Sequence, residues 1–191
     1  MTSKQATLTT EQLARAFAST RAVLATVKPD HLDLPTPCAS WDVGALINHV
    51  IGSARWAAGA VGGDVDTTEE NYAAGDFLAS YEQTTALTLA AFAADGALHR
   101  TVQLPFGDRS GAYVLGIVVN DQFTHGWDLA RAVGHHTDLD PELADEVLAH
   151  ARVTIPDSYR GPDGVGLFGP VVEPTPDACP ADRLAAFLGR T

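Results

Sequence analysis

Basic residues and cysteine are both scarce in this chain. Twelve Lys and Arg stand against 24 Asp and Glu, a formal net charge of −12 over 191 residues. So acidic a surface excludes nucleic acid as the main partner, because phosphate backbones are held by clustered positive charge. The two cysteines, Cys38 and Cys179, lie far apart and make no CxxC pair. That excludes a disulfide framework and a thiolate-rich zinc site. No run of about 18 apolar residues occurs, so no helix is expected to span a membrane. The start, MTSKQATLTTEQLARAF, has neither the basic opening nor the apolar middle of a signal peptide. A cytoplasmic protein with reduced thiols is expected.

What is there is an ordinary globular composition, 46% hydrophobic and 19% charged, enough to bury one sizeable core. The apolar spacing predicts a mostly helical chain. A first helix follows Thr9 or Thr10 as cap and carries Leu13, Phe17, Val23, Leu24 and Val27 on one stripe. KPDHLDLPTPCAS, with three prolines, is a loop. A second helix, with Ser40 as its cap, stops at Gly62-Gly63. The alanine-rich third closes at Asp95-Gly96. A short alternating run, Thr101 to Leu104, and a Pro and Gly turn suggest a small strand pair. The fourth long helix ends at Gly134, and a fifth has an acidic first turn. Beyond it the proline-rich tail is extended until a last short helix. The expectation is all-α: a four-helix bundle over residues 1–155, with residues 156–191 as a tail packed on it.

Within the fourth helix, NDQFTHGWDLARAVG places Asp121, His125 and Asp128 at steps of four and three, on one helical face. Asp121 and His125 one turn apart can grip a metal ion, or can simply hydrogen-bond each other. His49 and His125 occur in strongly apolar stretches, where a histidine meets a core partner or an internal site. His31, His99, His135, His136 and His150 read as structural or surface residues. Asp128 could orient a ligand or act as general base, or could bond the Trp41 indole or a helix end. Arg131 could meet a cofactor or substrate carboxylate, with a salt bridge to Asp128 or a neighbouring acid as the competing reading. Trp127 is assigned beside it as a cofactor contact, and Trp41, Trp56 and Trp127 as core or pocket wall. Cys38 reads as a buried, inert thiol in the turn that leads into the second helix. Arg109 and Tyr113 are expected near an opening.

TPCASWDVGALINHV (Thr36 to Val50) and HGWDLARAVG (His125 to Gly134) resemble the paired motifs of the DinB-like superfamily. The branch is the actinobacterial one that includes the metal-binding domain of mycothiol-dependent maleylpyruvate isomerase. The ending, FGPVVEPTPDACPADRLAAFLGR, is similar to the tail of uncharacterised single-domain members. The resemblance implies a DinB-like four-helix bundle holding one divalent metal through His49, Asp121 and His125. Zinc suits such a set, as do nickel, iron(II) and manganese. In isomerase-like members the second ligand is commonly a glutamate, so the shorter Asp121 would draw the ion closer to its helix. The isomerase also carries a further C-terminal domain, and isomerisation of maleylpyruvate itself is not expected here. The resemblance implies a small-molecule substrate with a thiol cofactor of the mycothiol type, and is compatible with a homodimer. Three activities stay open: a metal-dependent thiol transferase or isomerase, a non-catalytic binding or stress-related bundle, and a metal-dependent hydrolase.

Overall fold

The computed structural model describes residues 7–38, 40–66, 68, 70–162 and 165–191. Four long helices dominate it: α1 (Thr10–Leu24), α2 (Val43–Ala60), α3 (Phe77–Ala93) and α4 (Gly111–Val133). Each starts where a short polar side chain satisfies the first unpaired amides. Thr9 opens α1 with a capping box: its hydroxyl accepts from the Gln12 amide while the Gln12 side chain accepts from the Thr9 amide. Asp76 caps α3 and Ser110 caps α4. The second helix corrects the expectation from sequence. Ser40 is not its cap; Asp42 is, accepting the Ala45 amide at 2.7 Å. A carboxylate there also meets the positive end of the helix dipole.

The four helices enclose one core. α1 packs on α3 and α4, and α2 packs on α3 and α4. Tyr81, Phe92, Phe123, Leu13, Leu46 and Ile47 fill the interior. α1 and α4 approach closely at Gly126, where a Cβ would stand 2.4 Å from the Thr20 hydroxyl. That contact explains the first glycine in HGWDLARAVG. Between α3 and α4, β1 (Thr101–Leu104) pairs antiparallel with β2 (Gly107–Ser110) across a two-residue turn at Pro105-Phe106. This is the strand pair the alternating run suggests. α5 (Pro141–Thr154) pairs with α6 (Pro180–Phe187), and both also touch α4. Among the described residues no helix is long and apolar enough to cross a membrane.

One polar knot interrupts the apolar core. Gln122 of α4 is fully buried. Its amide donates to the Val50 carbonyl of α2 at 2.8 Å and accepts from the Tyr81 hydroxyl of α3 at 2.9 Å. Its own carbonyl accepts from Thr20 of α1 at 2.7 Å. Four helices are thus pinned at the level of Asp121, and satisfied buried polar networks of this kind specify one register.

The tail returns to the bundle. Arg160 donates to the carbonyls of Gly169 and Phe187 and lies over the Phe187 ring. Gly189 has φ +87°, and a Cβ there would run into the Gly169 backbone at 2.5 Å. Only glycine fits this bend, and the bend turns Arg190 back towards α4.

Candidate functional site

α2 and α4 each carry a histidine to the same point. His49 Nε2 lies 2.9 Å from Asp121 Oδ1, and His125 Nε2 lies 3.5 Å from that same oxygen. The other Asp121 oxygen accepts from Ser53 Oγ at 2.8 Å and from the Gln122 amide at 3.4 Å. His125 Nδ1 bonds Asp128 Oδ2 at 2.9 Å, and Asp128 is 0% exposed. Arg190 completes the chain of contacts, donating through Nε and Nη2 to the two Asp128 oxygens at 3.4 and 3.2 Å. Asp121, His125 and Asp128 therefore share one face of α4, as their spacing requires. Trp41 covers the pair of imidazoles, its ring centroid 4.4 Å from that of His49 and 5.5 Å from that of His125.

The electrostatics favour a cation here. Burial would raise the Asp121 carboxyl, but His125 and His49 outweigh it and hold the group well below the usual carboxylate range. Burial would likewise raise Asp128, and His125 with Arg190 pulls it down. Burial would lower His125, yet the two flanking carboxylates push it up to about 9. In the metal-free protein, a proton on His125 supplies the positive charge that the two acids demand. Because this folded value lies above the ordinary 6.5, the stabilisation is complete below pH 6.5 and is lost as pH rises towards 9. Thermal melts of chelator-treated protein at pH 6.5, 7.5 and 9 should therefore show a falling midpoint. A flat profile over that window would remove the charged His125 from the account.

A divalent ion fixes how far apart its donor atoms stand. Atoms bound to one ion at about 2.0–2.2 Å stand roughly 2.8–3.6 Å apart at octahedral to tetrahedral angles. The two separations from Asp121 Oδ1, 2.9 and 3.5 Å, fall within that range. Donor atoms of His49, Asp121 and His125 all lie within 4.8 Å of one another. The set fits. Both flanking groups a metal-bound histidine and carboxylate need are also present: Asp128 on the far nitrogen of His125, and Ser53 on the outer oxygen of Asp121.

His49, Asp121 and His125 line a cavity of about 620 Å³. Tyr113, Ile117, Tyr159 and Phe168 make much of its wall, and Phe106 and Leu167 are exposed at its lip. Tyr113 stands where an opening was expected, whereas Arg109 stacks outside on Phe106 and Tyr113. His150, read from sequence as structural or surface, also lines this cavity, above Gly116. Trp127 and Arg131 do not reach it. Trp127 Nε1 donates to Asp182 at 2.8 Å, and the Arg131 guanidinium lies over the Trp127 ring, on the side of α4 that meets α6. Cys38 corrects the reading of an enclosed thiol: it is half-buried and lines the cavity. Three participants were not singled out from sequence. Ser53 sits one turn beyond His49 and Gln122 beside Asp121, so both were within reach of helical spacing. Arg190 comes from the far end of the chain and left no such signal.

A mostly helical chain with four long helices and one small strand pair has the DinB-like bundle fold. The family described as mycothiol maleylpyruvate isomerase N-terminal domain matches residues 13–130. The chain belongs to that family. Two uncharacterised proteins of Mycobacterium tuberculosis, from strains CDC 1551 / Oshkosh and ATCC 25618 / H37Rv, are each 41% identical over 182 residues. Those matches cover 93% of this chain and 94% of each relative. In fold the chain is similar to the crystal structure of the mycothiol-dependent maleylpyruvate isomerase (TM-score 0.57, 18% identity). The match covers 80% of this chain and 71% of the isomerase. A histidine-to-alanine variant of that enzyme matches over the same shares with TM-score 0.59 and 17% identity.

Proposed function

We propose that this chain binds one divalent metal ion through His49, Asp121 and His125 and uses it in a thiol-dependent transfer or isomerisation of a small electrophile. The observation that carries this reading is the convergence of three donors from two helices on the wall of a cavity of about 620 Å³. Two imidazoles and one carboxylate suit zinc, and the same donors accept nickel, iron(II) or manganese. Such an ion, when bound, lowers the pKa of a coordinated water or thiol and so supplies a nucleophile near neutral pH. Membership of the mycothiol maleylpyruvate isomerase N-terminal domain family supports a thiol of the mycothiol type.

The chain's own residues prepare the site. Asp128 acts as a positioning residue: its bond to Nδ1 of His125 leaves Nε2 facing Asp121. Ser53 and Gln122 hold one oxygen of Asp121 and leave the other to the two histidines. The aromatic wall receives an apolar electrophile and displaces water from beside the polar end. Hydrolysis fits less well, since it needs a base facing the cavity and Asp128 is enclosed between His125 and Arg190. A cytoplasmic setting, where small thiols stay reduced, accords with this chemistry.

The test begins with metal content by mass spectrometry on protein purified without an affinity tag, beside His49→Ala. About one ion per chain, lost in the variant, is the expected result, followed by turnover of an electrophile that requires both thiol and metal. Absence of metal from both, even after incubation with zinc, nickel and manganese, would leave a binding bundle with structural histidines.

A further inference from the structure

The His49–Asp121 pair borders two cavities. Trp41, His49, Ile117 and Asp121, which line the one described above, also line another of about 930 Å³. The two differ in chemistry. The first is walled chiefly by aromatic and aliphatic side chains, the second by Asn48, Ser53, Arg55, Glu70 and Asn71 together with Trp56. The polar groups are held in place. Asn48 accepts from the Ala73 amide at 2.9 Å and donates to Asn71 Oδ1 at 3.1 Å. Arg55 donates through Nε to the Asp66 carbonyl at 2.7 Å and lies over the Tyr72 ring. Ser53 ties this wall to the site by donating to Asp121 Oδ2 at 2.8 Å.

Two residues of α2 mark the second cavity as a place for a ligand. Trp56 is 41% exposed, although an indole is among the largest apolar surfaces a chain can bury. Gly52, one turn before it on the same helical face, also lines the cavity, and a Cβ there would meet nothing within 4 Å. Glycine inside a helix is unfavourable. Gly126 is required by its contact with Thr20, whereas among the described residues no contact requires Gly52. The space it leaves, beside an uncovered indole and an amide pair, suits something other than the chain itself.

A ring bearing several hydroxyls has the matching chemistry. Its C–H face is apolar and slightly positive, and packs on the electron-rich face of an indole. Each hydroxyl both donates and accepts, as do the amides of Asn48 and Asn71, while Glu70 adds acceptors and Arg55 donors. An apolar ligand would leave these groups unpaired. A strongly anionic one would face the carboxylates of Glu70 and Asp121. We propose that the second cavity seats a polyhydroxylated ring, a glycoside or a cyclic polyol, which forms part of the thiol cofactor and brings its sulfur to the wall shared by His49 and Asp121. The electrophile keeps the first cavity, so the two reactants approach that wall from different sides. The place of the sulfur rests on the thiol-dependent reading above; that of the ring does not.

The three tryptophans report on this placement, because Trp41 lines both cavities, Trp56 the second alone and Trp127 neither. The isotope-labelled full chain is titrated with methyl β-D-glucoside and with myo-inositol, and the indole N–H signals are followed by NMR, that of Trp56 being assigned through Trp56→Phe. Saturable movement of the Trp56 signal, with that of Trp127 fixed, is expected for at least one ring, and the tighter of the two names its type. Movement of Trp41 without Trp56, of all three alike, or of none, would overturn the cavity assignment. Gly52→Leu fills the open space, so it should weaken the ring at least tenfold while the melting point holds or rises. Unchanged affinity in that variant would also overturn it. On zinc-loaded protein, 1-thio-β-D-glucose should bind at least tenfold more tightly than methyl β-D-glucoside, with the advantage lost in His49→Ala. Equal affinities on loaded protein would overturn the placement of the sulfur. If the chain binds no zinc, the metal reading fails, and with it the place of the sulfur, while the ring titration still decides the cavity.

Discussion

His125→Ala is expected to weaken metal binding by on the order of a hundred- to a thousandfold while the bundle still folds. A structural zinc site is worth about 10–16 kcal/mol over four ligands, so one ligand carries roughly 3 kcal/mol or somewhat more. His125 is the ligand whose loss does most, because it alone touches both acids: Asp121 through Nε2 and Asp128 through Nδ1. The cost to the metal-free fold is smaller. Asp121 keeps His49 and Ser53, and Asp128 keeps Arg190, so each carboxylate stays partly satisfied. About 1–3 kcal/mol of lost stability is expected. Two melting curves on each protein, with and without chelator, separate the two effects. A ligand that binds only the native state raises its melting point, so chelator should lower the midpoint of the parent and leave that of His125→Ala where it was. Equal chelator responses in both proteins would mean that His125 is a core histidine and no ligand.

The parts of this site that lie on one helix were legible in the sequence, and the parts brought by chain return were not. Asp121, His125 and Asp128 follow from the helical period alone, because α4 runs without interruption from Gly111 to Val133. His49 stood out as a histidine in an apolar helix, but its partner was named through the motif resemblance, since spacing within α2 says nothing about which helix it faces. Trp127 and Arg131 stand apart from the cavity. Trp127, next to Asp128 in sequence, points about 100° away around the helix, and here that direction leads to Asp182 of α6, with Arg131 lying over the Trp127 ring. Cap choice at α2 failed for a similar local reason: Ser40 and Asp42 are both good caps, and the Pro35 to Asp42 bridge places the first helical turn after the second of them. Arg190 depends on the Gly189 bend against Gly169, a tertiary contact with no periodic signature.

Arg190→Ala is the second change with a large expected effect, and it tests whether the end of the chain belongs to the site. Asp128 is a fully buried carboxylate whose only cationic partners among the described residues are His125 and Arg190. Breaking a buried pair by removing one partner costs about 3–5 kcal/mol, because a desolvated charge is left behind. The Arg190 side chain lines the cavity, so water can follow where it leaves, and a loss of about 2–4 kcal/mol is expected. Metal affinity should fall about 10–100-fold, since the acid that orients His125 is no longer held. Arg190→Lys keeps the charge but cannot address both carboxylate oxygens with a fork, so it should recover stability more than affinity. The decisive comparison is the double variant Asp128→Ala with Arg190→Ala, which removes both charges together. It should cost less than the sum of the single changes by about 1–3 kcal/mol. Additive losses would show that Arg190 acts only through its packing on the tail. Arg190→Ala with parental stability and parental metal affinity would make the guanidinium a surface charge with no part in the site.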